Sequence, residues 1–194
     1  MTSPRGPWIR SVAWDEAEGV LRAAYDWQAE RLGEPTEFTM LGGLYPDLVL
    51  ERLRLYKVVE GCPSQLRPEE RVIAALVASH LNDTPHCSSG LRVRLDAMGV
   101  KPELVARILA DPTGHASGDA RLDAVASYAA RLTSSPASID ASDIDELRRV
   151  GLDDLDILDL NNMVAYFNYV NRVANGLGLH SEIPASHALH AAPR

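Results

Sequence analysis

The chain has 194 residues, a formal net charge of -8, 46% apolar residues and 24% charged ones. That is enough apolar material for one packed domain. The acidic balance argues against nucleic acid, whose binders present a dense basic patch, and against an anionic membrane surface. No apolar run approaches the roughly 20 residues that span a bilayer, and the first ten residues are polar and Pro-rich with no apolar signal region, so a cytoplasmic location is expected.

Residues 1–14 are expected to be an extended arm. The pattern is helical over 15–32, where Val20, Ala24 and Trp27 recur at helical spacing and Gly33 stands at a C-cap position. Residues 34–45 are expected to be a loop. Pro46 opens a helix carrying Leu50, Leu53 and Val58 to a stop at Gly61. Pro68 opens another, with Glu69 and Glu70 in its first turn, where carboxylates meet the positive end of the helix dipole, and Ile73, Leu76, Val77 and Leu81 on its apolar face.

The run Asn82, Asp83, Thr84, Pro85 breaks that helix. Thr84 is expected as N-cap and Pro85 as the first residue of the next helix, which runs to about Met98. Pro102 starts a short helix ending before Asp111. Further helices are expected over 119–132, from a cap at Ser142 or Asp143 to Gly151, and from Asp153 to about Asn175. The tail, 181–194, is rich in Ala, His and Pro and is expected to be flexible or an oligomer arm. Alternating apolar and polar positions are absent throughout, so the fold class is all-α.

With Thr84 as cap, Cys87 falls at the third helical position, near unpaired backbone N–H groups. That placement lowers a thiol pKa, and a protonated His86 beside it pushes the same way. His80, on the preceding helix, is a candidate to face the same junction. The bland alternative is that Cys87 fills a gap between helices as a small apolar residue. Asn161, Asn168, Asn171 and Asn175 form a polar stripe on the last helix; interhelix hydrogen bonding is favoured over a ligand-binding wall. Cys62 is a bystander. Two cysteines are too few for a disulfide framework or a structural zinc site, and His187 and His190, although three apart, have no carboxylate at matching spacing, so no metal is expected. No glycine-rich nucleotide motif is present, and no cofactor is implied.

Residues 66–100, together with 143–179 and 7–26, resemble the AhpD-like superfamily (alkylhydroperoxidase and carboxymuconolactone decarboxylase), in its peroxidase-related branch. The resemblance covers most of the chain and implies an AhpD-like helical bundle over 15–180 that self-associates as a dimer, trimer or hexamer. In that family a Cys-x-x-Cys pair cycles between dithiol and disulfide, with a glutamate and a histidine relaying protons. Aligned through Asn82, those four positions fall on Thr84, Cys87, Val72 and Leu91, so only one keeps its residue type. Glu69 lies one turn before Val72 and is the nearest carboxylate able to share its face.

Three readings follow, each with a small-molecule ligand. The first is an oxidoreductase using Cys87 alone, cycling through a sulfenic acid resolved by an external thiol, with His86 or His80 as base. The second is a cofactor-independent acid–base enzyme of the carboxymuconolactone decarboxylase kind, using His80, His86 and Glu69 on a small organic acid or specialised metabolite. The third is a binding protein that has kept the fold and lost the chemistry.

Overall fold

The computed structural model describes residues 6–183. Its helices, in chain order, are α1 (Gly19–Leu32), α2 (Glu37–Leu41), α3 (Pro46–Glu60), α4 (Pro68–Leu81), α5 (Pro85–Ala97), α6 (Pro102–Ala110), α7 (Ala120–Ser134), α8 (Ala141–Arg149) and α9 (Asp154–Gly176), with a 3-10 turn at Pro136–Ser138. No strand occurs among the described residues.

Helix α4 is the centre. Every residue from Val72 to Ser79 is buried, and a helix apolar all round belongs inside a protein. It packs against α5, α7 and α9, while α3 reaches α9 on one side and α1 on the other. The first turn of α4 is tied down by charge. Glu70 is fully buried and bound by Arg67 and by Arg121 of α7. One turn on, Arg71 binds the buried Asp159 of α9 at 2.7 Å and the Cys62 carbonyl at 2.9 Å.

Prolines start α3, α4, α5 and α6 where expected, since a first-turn residue has no intrahelical N–H bond to lose. Asp153 caps α9, accepting from the backbone of Leu155 and Asp156. Helix α8 is capped by Asp140 and not by Ser142 or Asp143; Asp143 instead reaches back to the Asp140 N–H as the far half of a capping box.

Three expectations fail in the outer helices. α1 begins at Gly19, because residues 14–16 form a turn, and its inward face is Leu21, Ala24 and Tyr25, leaving Val20 exposed. Residues 34–45 hold α2, capped by Thr36 and packed on the core through Phe38 and Leu41. The inward face of α3 is Val49, Arg52 and Val59, with Val58 exposed. The expected arm is docked over its described part: Trp8 N–H donates to Leu177 O at 2.8 Å, and Val12 N–H to Met40 O at 3.2 Å. The Trp8 ring lies so close over Gly178 that a Cβ there would come within 2.5 Å of it.

The tail is likewise held where it is described. Ile183 N–H donates to Ser89 Oγ at 2.8 Å, and the Ser181 hydroxyl bonds Glu37. Residues 184–194, with His187 and His190, lie outside the described residues. No described helix is long and apolar enough to cross a membrane.

Candidate functional site

The break between α4 and α5 is built from both sides. Asp83 takes a left-handed backbone, φ 48°, and Thr84 N–H reaches back to Ser79 O at 3.0 Å. From α9, the Asn168 carbonyl accepts Asn82 Nδ2 at 3.0 Å, and Asn175 Nδ2 donates to Asn82 O at 2.7 Å. Asn171 pairs with Ser79, and Asn161 donates to Tyr128. The asparagine stripe is interhelix bonding, as favoured.

Within this frame Cys87 does occupy the third position of α5, after Pro85 and His86. Its expected activation does not follow. The side chain is buried, and exclusion from water pushes the thiol up to about 12, so it is protonated at neutral pH. Desolvation of a thiolate outweighs the help of the helix N-terminus. Thr84 is buried but makes no side-chain cap; its hydroxyl donates at 3.4 Å to Asn82 O, in the preceding turn.

The two histidines part company. His86 is buried, with Nδ1 3.1 Å from Ser181 O and 3.9 Å from Glu37 Oε2. A carbonyl accepts only, so Nδ1 carries the proton. His80 is exposed on the last turn of α4 and makes no side-chain hydrogen bond to His86 or Cys87. Glu69 is half-exposed, 3.6 Å from Arg67; the carboxylate that α4 buries is its neighbour Glu70. His80, Glu69 and Cys87 are therefore not brought together.

A small recess, with a cavity volume of about 60 Å³, lies between α4, α5 and α9. Its apolar walls are Val72, Ala75, Leu91, Met98, Met163 and Phe167. Val72 and Leu91 are the two positions at which the resemblance places proton-relaying residues, and here they are hydrocarbon. The charged groups at its edge are satisfied among themselves. Arg94 donates to Tyr56 Oη at 2.8 Å and Glu60 at 2.7 Å. Glu60 also receives Arg31; burial would raise its carboxyl, and the two arginines hold it below the usual range.

Outside the lining of the recess stands a group the sequence reading missed. Arg52 of α3 is 7% exposed. It donates to Phe38 O at 3.4 Å and Thr39 Oγ1 at 3.2 Å, with its guanidinium 4.1 Å from the Phe38 ring centre. No carboxylate pairs with it among the described residues. The signal was present: Val49, Arg52, Tyr56 and Val59 recur at three- and four-residue steps, which places the arginine on the buried face.

No family model and no curated protein matches the sequence. Solved structures do. A peroxidase-related protein with an alkylhydroperoxidase AhpD core from Ralstonia eutropha JMP134 is 17% identical, with a TM-score of 0.79, over 92% of this chain and 93% of its own. A peroxidase-related protein from Silicibacter sp. TM1040 is 25% identical, with a TM-score of 0.77 and the same coverage, 92% and 93%. The debrominase Bmp8, as a cysteine-to-alanine variant in complex with 2,3,4-tribromopyrrole, is 19% identical, with a TM-score of 0.72, over 95% of this chain and 94% of its own. The fold is AhpD-like.

Proposed function

We propose that this AhpD-like chain is a small-molecule-binding protein whose recess takes a compact, mainly apolar molecule, and that it does not run the two-thiol redox cycle. The observation that carries this is the hydrocarbon lining of the recess at Val72 and Leu91, beside a junction where Thr84 replaces one partner of the disulfide. The similar debrominase structure holds a single-ring halogenated pyrrole. The test is calorimetric titration with 2,3,4-tribromopyrrole as probe. Leu91→Trp, which fills the recess, is expected to abolish binding; undiminished affinity in a folded Leu91→Trp protein refutes the reading.

A second reading is a one-thiol oxidoreductase at Cys87, favoured by the position of that thiol at the third residue of α5 beside the buried His86. It is tested by peroxide consumption with dithiothreitol as reductant: turnover lost in Cys87→Ser supports it, and equal rates in both proteins refute it. Acid–base catalysis through His80, His86 and Glu69 has less support, since these side chains lie apart. Self-association is proposed on either reading; a single species at the mass of one chain in sedimentation equilibrium refutes it.

A further inference from the structure

The exposed apolar side chains of this molecule are not scattered. Of the twelve large ones bare to solvent among the described residues, six lie on α3 and α9, and Leu44 and Tyr45 directly precede α3. On α3 the exposed positions Leu48, Glu51, Leu55 and Val58 step by three, four and three. On α9 Leu155, Leu158, Asn162, Ala165, Tyr169 and Arg172 step by three and four throughout, and all are exposed. Besides its buried face, each helix therefore carries a second stripe at the spacing of a helix–helix seam. Val58 is 72% exposed and Leu158 58%, so no described segment covers it.

The two stripes form one surface. Helices α3 and α9 pack together and run antiparallel: Tyr56 stacks on Tyr166, ring centres 5.1 Å apart, while Ser64, just past the end of α3, bonds Asp159 near the start of α9. The other flank of α3 belongs to α1, through Val49, Leu50 and Leu53. At about 100° per residue, Leu48 and Leu55 stand on the flank of Tyr56 turned from α1, and Asn162 and Tyr169 on the flank of Tyr166 turned from the core. In an antiparallel pair these flanks share one side. The patch is about 25 Å long and two helix diameters, about 20 Å, across. That footprint, on the order of 500 Å², is at the upper end of what a monomer leaves bare and of the order of the roughly 800 Å² a side that a stable dimer buries.

We propose that the α3–α9 face binds a second copy of this chain, about a twofold axis lying in the contact plane along the helices. The proposal rests on the self-association put forward above and gives it a face. Such an axis keeps every residue at its level and sets α3 on the partner's α9, completing a four-helix bundle. The charges fit this arrangement. The stripe on α3 holds one charge, Glu51, and the stripe on α9 holds one of opposite sign, Arg172. Glu51 lies five residues before Tyr56 and Arg172 six after Tyr166, so the two are level, and docking sets Glu51 against the partner's Arg172 twice over. The bond from Arg54 to Glu51, at 2.6 Å, is an exposed pair of little weight and does not oppose this. Ala165 and Val58 are level by the same count, and the small alanine leaves room for the partner's Val58.

Sedimentation equilibrium of the full chain is expected to show a dimer. Leu55→Lys combined with Leu158→Lys, both at exposed positions, is expected to weaken association by about a hundredfold or more with the circular dichroism unchanged. Glu51→Arg and Arg172→Glu each set like charges together twice and are each expected to weaken it by about tenfold. The two exchanged together are expected to restore it. If the lysines unfold the chain, the charge exchange decides. A monomeric native chain overturns the proposal and self-association with it. Association undiminished by the lysines overturns this face and leaves self-association standing, and no restoration in the double exchange overturns the twofold pairing. A monomer that binds phosphatidylcholine vesicles through the same leucines also overturns it, the occupant then being lipid.

Discussion

Asn82, the residue at which α4 ends, donates its side-chain amide to Asn168 of α9 at 3.0 Å. Through that bond the long last helix sets the direction in which the chain leaves α4 and so the place where Cys87 lands. Asn168 also donates to Thr133 and accepts from Arg172. Asn168→Ala strands these partners and is expected to cost about 1–3 kcal/mol, read from urea unfolding midpoints at constant slope. Alkylation of Cys87 is expected to speed up at the same time, because the loosened junction admits water.

Cys62 is half-buried and Cys87 buried. Iodoacetamide at pH 8, resolved by mass spectrometry, is therefore expected to modify Cys62 first and Cys87 only on unfolding. Fast labelling of Cys87 with an apparent pKa under its ordinary 9.0 contradicts the burial argument.

The same burial has a pH signature. The Cys87 thiol and the Tyr25 phenol are each pushed up to about 12, by desolvation. In both groups the neutral form is the protonated one, and the folded pKa lies above the unfolded one. Their contribution to stability is thus complete below about pH 9 and is lost as pH rises from there through 12. Urea midpoints are expected to fall across that window, and Cys87→Ala is expected to flatten part of the fall.

Thr84→Cys restores a cysteine three residues before Cys87, at the N-cap. With diamide it is expected to form an intrachain disulfide, seen as protection of both thiols from alkylation. Both thiols remaining free after oxidation would show that the tight turn of Thr84 toward Asn82 keeps the two apart.

Glu70 lies between Arg67 and Arg121 at the head of α4. Glu70→Ala is expected to cost about 3 kcal/mol, the lower end for a broken buried pair because both arginines keep partial contact with water. Chemical denaturation checks it; a loss below about 1 kcal/mol would mean that water replaces the carboxylate freely.

What the residue order made legible was whatever local chemistry decides. Prolines 46, 68, 85 and 102 each mark a helix start because the ring fixes φ and lacks an N–H, whatever the surroundings. Gly33 closes α1 for the same kind of reason. Helix α2 escaped because five residues are too few to show a period. Cys87 was placed correctly along its helix, but its proton affinity depends on how much water the other helices exclude, which no local pattern records. Arg52 escaped because an arginine is ordinarily read as solvent-facing, and its burial follows only from the positions flanking it. His80 and Cys87 are seven residues apart across a break whose bend is set by asparagines some 90 residues further on, so their separation was out of reach.

Glu60 joins Arg31 of α1, Arg94 of α5 and its own helix's Tyr56 in a single carboxylate. Losses at this joint will not sum. Removing Glu60 takes the carboxylate from both guanidiniums, leaving Arg94 with Tyr56, whereas removing either arginine leaves the carboxylate with the other. A double-mutant cycle on Arg31 and Arg94 should therefore return a coupling energy well away from zero, although the two side chains sit 63 positions apart in the chain, on α1 and α5.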